Sequence, residues 1–201
     1  MQIRLLERTM EFDSNSTAEQ CIEAIKLELN NNKLYCSGII VNGETLYDDF
    51  GLYLTEHFFQ VEHVEIVTQT LEQLVYETST STYSYLNGSI QALPQLASGF
   101  NSNPTEDTWT KLGSFFEGMV WTIQSMTLLS QHIEHANVIN DINAQVNMLS
   151  AMASDLETAV NNKDYVLLAD ILEYEVMEIY SDIAAIIKTL ILEDNANDKN
   201  R

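Results

Sequence analysis

The order of apolar and polar residues changes period near residue 70 and divides the chain into two halves. In the first, Ile3 and Leu5 alternate with polar neighbours as a short strand, and Met10 and Phe12 return across Glu7-Arg8. Ser16 and Glu19 stand at capping-box spacing ahead of Ala18, Cys21, Ile22, Ile25 and Leu29, which share one helical face. The Asn30-Asn31-Asn32 run stops that helix. Leu34 to Val41 reads as a strand. Asn42-Gly43 reads as a hairpin turn, because a type I′ turn needs positive φ at both central residues. Thr45 to Tyr47 returns, Asp48 or Asp49 caps a short helix containing Leu52 to Phe59, and Val61 to Thr68 is the last strand.

From about Thr70 the period is helical. Trp109, Leu112, Phe116, Met119, Ile123 and Met126 follow one another at steps of three and four, an apolar seam behind an Asn103-Pro104 opening. Ile139, Ile142, Val146, Leu149, Met152 or Ala153, Leu156 and Val160 form a second seam. It ends at Asn161-Asn162-Lys163-Asp164, where Asp164 suits the N-cap of the next helix. Leu168, Leu172, Val176, Ile179, Ile183, Ile186 and Leu190 form a third, and Glu193 to Arg201 reads as a disordered polar tail. Between Leu71 and Ser102 the signal is weaker. Thr78-Ser79-Thr80-Ser81-Thr82 is poor helix material and Gly88 and Pro94 add breaks, so a broken helix is expected there. The fold class is α+β. Residues 1–69 form a small domain, 70–193 an antiparallel four-helix bundle with short connections, and 194–201 a tail.

The element order of the first third, two strands, helix, two strands, short helix, strand, with its Asn42-Gly43 turn, resembles a ubiquitin-like β-grasp domain. Conjugating members of that family end in a free Gly-Gly tail. Here the last strand runs into Gln69-Thr70-Leu71, so the resemblance implies a docking or dimerising module instead of a conjugated modifier.

Charge narrows the function. The formal net charge is −21, from 30 acidic and 9 basic residues. Such a surface repels phosphate backbones and anionic headgroups, which argues against nucleic acid and membrane partners. The start of the chain has no basic segment followed by an apolar run, and the expectation is no secretory signal. The uncharged run Gly118 to Gln131 is too short and too polar to span a bilayer. Cys21 and Cys36 match no metal or redox spacing and are expected as reduced, mostly buried thiols in the cytoplasm.

Within this acidic chain, residues 78–105 carry no charged side chain, and 118–131 carry none either. Each is buried in the fold or covered by another molecule. In the second stretch Val120, Trp121, Leu128 and Leu129 stand off the seam, so its helix is apolar over a wide arc. Tyr and Trp combine large area with a polar handle, and Tyr83, Tyr85, Phe100 and Trp121 are the candidate partner-binding residues.

Chemistry-bearing motifs are sparse. There is no nucleophile elbow, Gly-rich phosphate loop or zinc-protease motif, and no Glu stands three residues before a His as in di-iron bundles. His132 and His135, at i and i+3 around Glu134, are either helix-end residues or a metal pair. Glu175, Glu178 and Asp182 flank the last seam and are either a solvated face or a cation or partner site, with Glu175 expected to border the core. His57 and His63 read as solvated. The sequence therefore points to a cytoplasmic, non-enzymatic, acidic protein-binding adaptor or chaperone-like factor. It is expected to have a protein partner, to self-associate as a homodimer and to need no cofactor. The alternative is a metal- or small-ligand-binding regulatory protein or enzyme on a helical bundle.

Overall fold

The computed structural model describes residues 1–13, 16–41, 43–46 and 50–198, with side chains as far as 192. Two compact units divide between Leu74 and Val75.

The first unit is a five-stranded mixed sheet of order β2-β1-β5-β3-β4 with two helices. Strands β1 (Gln2–Leu5) and β2 (Arg8–Glu11) pair antiparallel, with Ile3 opposite Met10. The turn lies at Leu6, which takes a positive φ of 55°, and Glu7; Arg8 already belongs to β2, one residue earlier than its sequence suggested. Helix α1 (Ala18–Asn32) starts on a capping box between Thr17 and Gln20, one residue along from the expected Ser16 and Glu19. Both pairs fit the spacing, and Ser16 instead bonds Asp13. Lys33 closes the helix in the left-handed conformation. Strand β3 (Tyr35–Val41) lies antiparallel to β4 (Glu44–Leu46) and to β5 (His63–Gln69), while β1 and β5 are parallel. Gly43 in the β3–β4 turn has a φ of +90°, as a primed turn needs. Asn42, Tyr47, Asp48 and Asp49, on which part of that turn and the cap of α2 (Phe50–His57) were placed, lie outside the described residues.

Alternation along the strands buries one face. Ile3, Leu5, Ile39, Val41, Val64 and Ile66 meet Cys21, Ile25 and Leu29 of α1 and Leu54 of α2. Arg4 and Glu65 pair across β1 and β5 outside that core. This unit is compatible with a small β-grasp-like fold.

The helices follow. Helix α3 (Leu71–Asn101) opens on a Thr70–Gln73 capping box and runs 31 residues without interruption. The expected break is overturned. Ser79, Thr82, Leu86, Leu93, Leu96, Ala97 and Phe100 are all buried, and packing of that stripe outweighs the poor intrinsic propensity. Hydroxyls that could compete with the helix turn back onto it, as Thr82 does in donating to the Thr78 carbonyl at 2.7 Å. Pro94 sits inside the helix at an exposed position.

Helix α4 (Glu106–His132) begins on a Thr105–Thr108 capping box, with Glu106 and Asp107 at its positive end. Helix α5 (Ala136–Asn162) closes on Lys163 in the left-handed region, and Asp164 caps α6 (Tyr165–Asp170) by accepting from the Leu167 amide. A π-helical segment, Ile171–Val176, joins α6 directly to α7 (Met177–Asp198). The helical backbone thus passes Glu193, where a polar tail was expected; 199–201 lie outside the described residues. One core joins all of these helices, drawing on Leu86 and Leu93, Met119 and Met126, Ile142 and Leu149, and Leu172 to Ile187.

Candidate functional site

Two cavities of the helical unit open along α4. The first, of about 610 Å³, lies between α3 and α4. Its α3 wall includes Tyr85, Ser89, Ala92, Leu96 and Gly99, at helical steps of four and three, and its α4 wall includes Thr108, Lys111, Ser114 and Phe115. The charged groups in its lining are Asp107 and Lys111, which pair at 2.7 Å, so the cavity is electrically neutral. Small residues hold the two helices close at either end. A β-carbon added at Gly99 would lie 2.9 Å from the Thr108 methyl, and one at Gly118 would overlap the Tyr85 phenol.

Tyr85 is the hub of this region. Its ring packs edge-on against Trp121, 5.5 Å between centroids, and against Tyr180, at 6.4 Å. Tyr180 is fully buried, and its hydroxyl has no well-formed hydrogen bond among the described residues. Burial pushes its ionisation far above the ordinary phenol range. The adjacent Tyr85 phenol adds to this, and the Thr122 hydroxyl opposes it in part. Thr122 and Tyr85 are thus close enough to act on the phenol without a well-formed hydrogen bond to it. Thr122 instead donates to the Gly118 carbonyl at 2.8 Å.

The second cavity, of about 580 Å³, lies between α4 and α5 and is lined by Trp109, Leu112, Gly113, Phe116, Ala153, Ser154, Glu157 and Val160. Trp109 is held from behind by Phe100, at 5.0 Å between ring centroids, and by Tyr165, at 5.8 Å. Sequence periodicity had placed Trp109 and Phe116 in a buried seam. Gly113 and Ala153, whose small size leaves the furrow open, were the available signal for it.

Among the candidate partner-binding residues, Tyr85 lines the first cavity and Trp121 packs on its ring, and Tyr83 packs against the core from a half-buried position. Phe100 is 2% exposed and belongs to the core. Of the apolar residues off the α4 seam, Leu129 is buried and Val120 and Trp121 are exposed, at 53% and 38%. The cavity-lining Ser89, Ala92 and Ser114 were not anticipated, because small polar residues carry no distinctive pattern.

The metal candidates are dispersed. His132 ends α4, while His135 is the N-cap of α5 without a side-chain capping bond. Glu175 is exposed, not at the edge of the core as expected, because the π segment interrupts the α-helical phase from which its position was inferred. Glu178 is exposed, and Asp182 accepts from the Gln145 side chain at 3.3 Å. Among the described residues, no three His, Cys, Asp or Glu side chains are grouped to hold a metal ion. No described helix is long and apolar enough to cross a membrane. Neither cysteine is in a disulfide; Cys21 is buried and Cys36 half-buried.

The family described as "Domain of unknown function (DUF8042)" matches residues 77–186, more than half of the chain, and the chain belongs to that family. The match spans α3 to the middle of α7 and contains both cavities; the sheet unit lies outside it. No curated protein and no solved structure matches the chain.

Proposed function

We propose that this member of the DUF8042 family is a non-enzymatic, protein-binding adaptor or chaperone-like factor of the cytoplasm that works as a homodimer through the α3–α4 face. The observation that carries the reading is the neutral cavity between those helices. Its α3 wall lies in the uncharged stretch 78–105, in a chain of net charge −21, and the Asp107 and Lys111 of its α4 wall cancel. Two copies this acidic repel wherever acids face one another. They can approach closely only through a neutral patch, and a two-fold interface must be complementary to itself. Trp121, exposed on α4, and Tyr85, which lines the cavity, supply the apolar and aromatic area that interfaces favour.

Cysteines outside disulfides suit a reducing compartment. In this reading the sheet unit is a β-grasp-like docking module, supported by the parallel β1–β5 pair at its centre. Helices α3, α4, α5 and the α6–α7 rod act as a four-helix bundle, supported by their common core.

The test is the solution mass of the purified chain by light scattering. The wild type should run at twice its 22.8 kDa chain mass. Ala92→Trp, which fills the cavity from an exposed position, and Trp121→Glu, which charges the α4 surface beside Tyr85, should each run at the chain mass with unchanged far-UV helicity. A monomeric wild type overturns self-association through this face.

A further inference from the structure

We infer that the furrow between α4 and α5 is a docking groove for a basic amphipathic helix of a partner protein, its apolar side seated between Trp109 and Phe116 and a Lys or Arg paired with Glu157. This names the partner chemistry of the adaptor reading and rests on it, yet it uses a different surface from the proposed self-interface.

Four observations carry the assignment. The furrow, about 580 Å³, has an apolar floor of Trp109, Leu112, Phe116 and Val160, and among the described residues Glu157 is the one charged group in its lining. Trp109 is already fixed by Phe100 and Tyr165, so docking orders little that is free, which favours affinity. Exposed Val120 lies one turn beyond Phe116 on the same side of α4, where it extends the apolar track. Finally, α-helical phase places Glu106 and Glu117 on the side of α4 that carries Gly113, so the solvent edge of the track is acidic as well.

Charge selects the occupant. Residues 77–186 contain 14 acidic residues against Lys111 and Lys163, and Lys111 is already paired with Asp107. A second copy of this chain would bring acids against Glu157. An acidic or neutral helix would leave that carboxylate covered and unpaired, which costs free energy. A helix with apolar residues on one face and Lys or Arg along its border satisfies floor and rim together, and helix-in-groove docking is a recurrent mode of peptide recognition.

The test uses the full chain and a fluorescein-labelled amphipathic peptide of leucine and lysine, about four turns long, read by anisotropy. Its leucine–glutamine counterpart serves as the neutral control. Gly113→Phe fills the groove from a position where an added β-carbon meets no atom within 4 Å. Glu157→Lys removes the counter-charge. Glu23→Lys, at an exposed position on α1 in the sheet unit, makes the same change in net charge elsewhere.

The wild type should bind the lysine peptide and not the glutamine one. Gly113→Phe and Glu157→Lys should each weaken binding at least about tenfold, as removal of a central anchor does, and Glu23→Lys should change it by less than about threefold, as a distant charge does. Absence of binding, equal binding of both peptides, or Glu23→Lys matching Glu157→Lys each overturns the proposal; the last result would reduce the effect to bulk charge. A fall in solution mass on Gly113→Phe would also overturn it, since the groove would then be the self-interface. Ala92→Trp separates the two readings: it should lower the mass and leave peptide binding intact.

Discussion

The Tyr85 phenol lies against the backbone of Gly118, where any other residue would place its β-carbon on the phenol oxygen. This contact joins α3 to α4. Gly118→Ala gains helix propensity of up to about 1 kcal/mol but forces Tyr85 out of its place between Trp121 and Tyr180. Overpacking of this kind costs about 1–3 kcal/mol. The net expectation is a lower denaturation midpoint, with partial recovery in the Gly118→Ala, Tyr85→Leu double variant. Gly88 provides the contrast. A β-carbon there meets nothing, so Gly88→Ala should stabilise by about 0.4–1 kcal/mol.

Pro94 occupies the interior of α3 at an exposed position, where it removes the hydrogen bond its amide would make to the Ile90 carbonyl. Pro94→Ala restores that bond and disturbs no buried contact. It should raise stability by about 1–3 kcal/mol in urea unfolding.

How far the chain was legible follows from such positions. Strands β1, β3 and β5 and helix α1 could be read because local alternation and global burial agree. Helix α3 could not. Its hydroxyl run, Gly88 and Pro94 are local signals against a helix, and they lose to the burial of Leu86, Leu93, Ala97 and Phe100 against elements distant in sequence. The absence of charge over 78–105 was informative but ambiguous, because Phe100 and Tyr85 look alike in composition while one is core and the other lines a cavity. Glu175 was misplaced because nothing in the local sequence announces a π turn. The α4–α5 furrow depends on how two separate faces fit, with Gly113 on one and Ala153 on the other, and periodicity within either helix says nothing of the space between them.

Tyr180 links stability to alkaline pH. Its phenol stays protonated in the fold, whereas the unfolded chain ionises near pH 10, the ordinary phenol range. The unfolded state therefore gains as pH rises above that value, and this contribution to stability, fully present below it, falls by about 1.4 kcal/mol per pH unit. Tyr180→Phe removes the buried, unpaired hydroxyl. It should be neutral or stabilising by about 1 kcal/mol near neutrality and show a flatter decline above pH 10, measured as urea midpoints at the two pH values.

The two thiols should differ in reactivity. Burial pushes the Cys21 thiol up and closes it to reagent, while Cys36 is partly accessible. In the native protein an aromatic disulfide reagent should label Cys36 first, and Cys21 only at the rate of unfolding. Equal labelling of both in the folded state would contradict the packing of α1 on the sheet.

The π segment from Ile171 to Val176 bears on how this family can vary in length. Its bonds skip one residue more than those of an α-helix, so it stores a surplus residue between two regular helices. Loss of one residue there would return the backbone to ordinary α-helix and leave Leu168 on one side and Tyr180 on the other still facing the core. The same loss within α4 or α5 would turn every following side chain by about 100°. Relatives one residue shorter are thus expected to carry the gap between 171 and 176, and an alignment that opens it elsewhere in the last two helices would be misregistered.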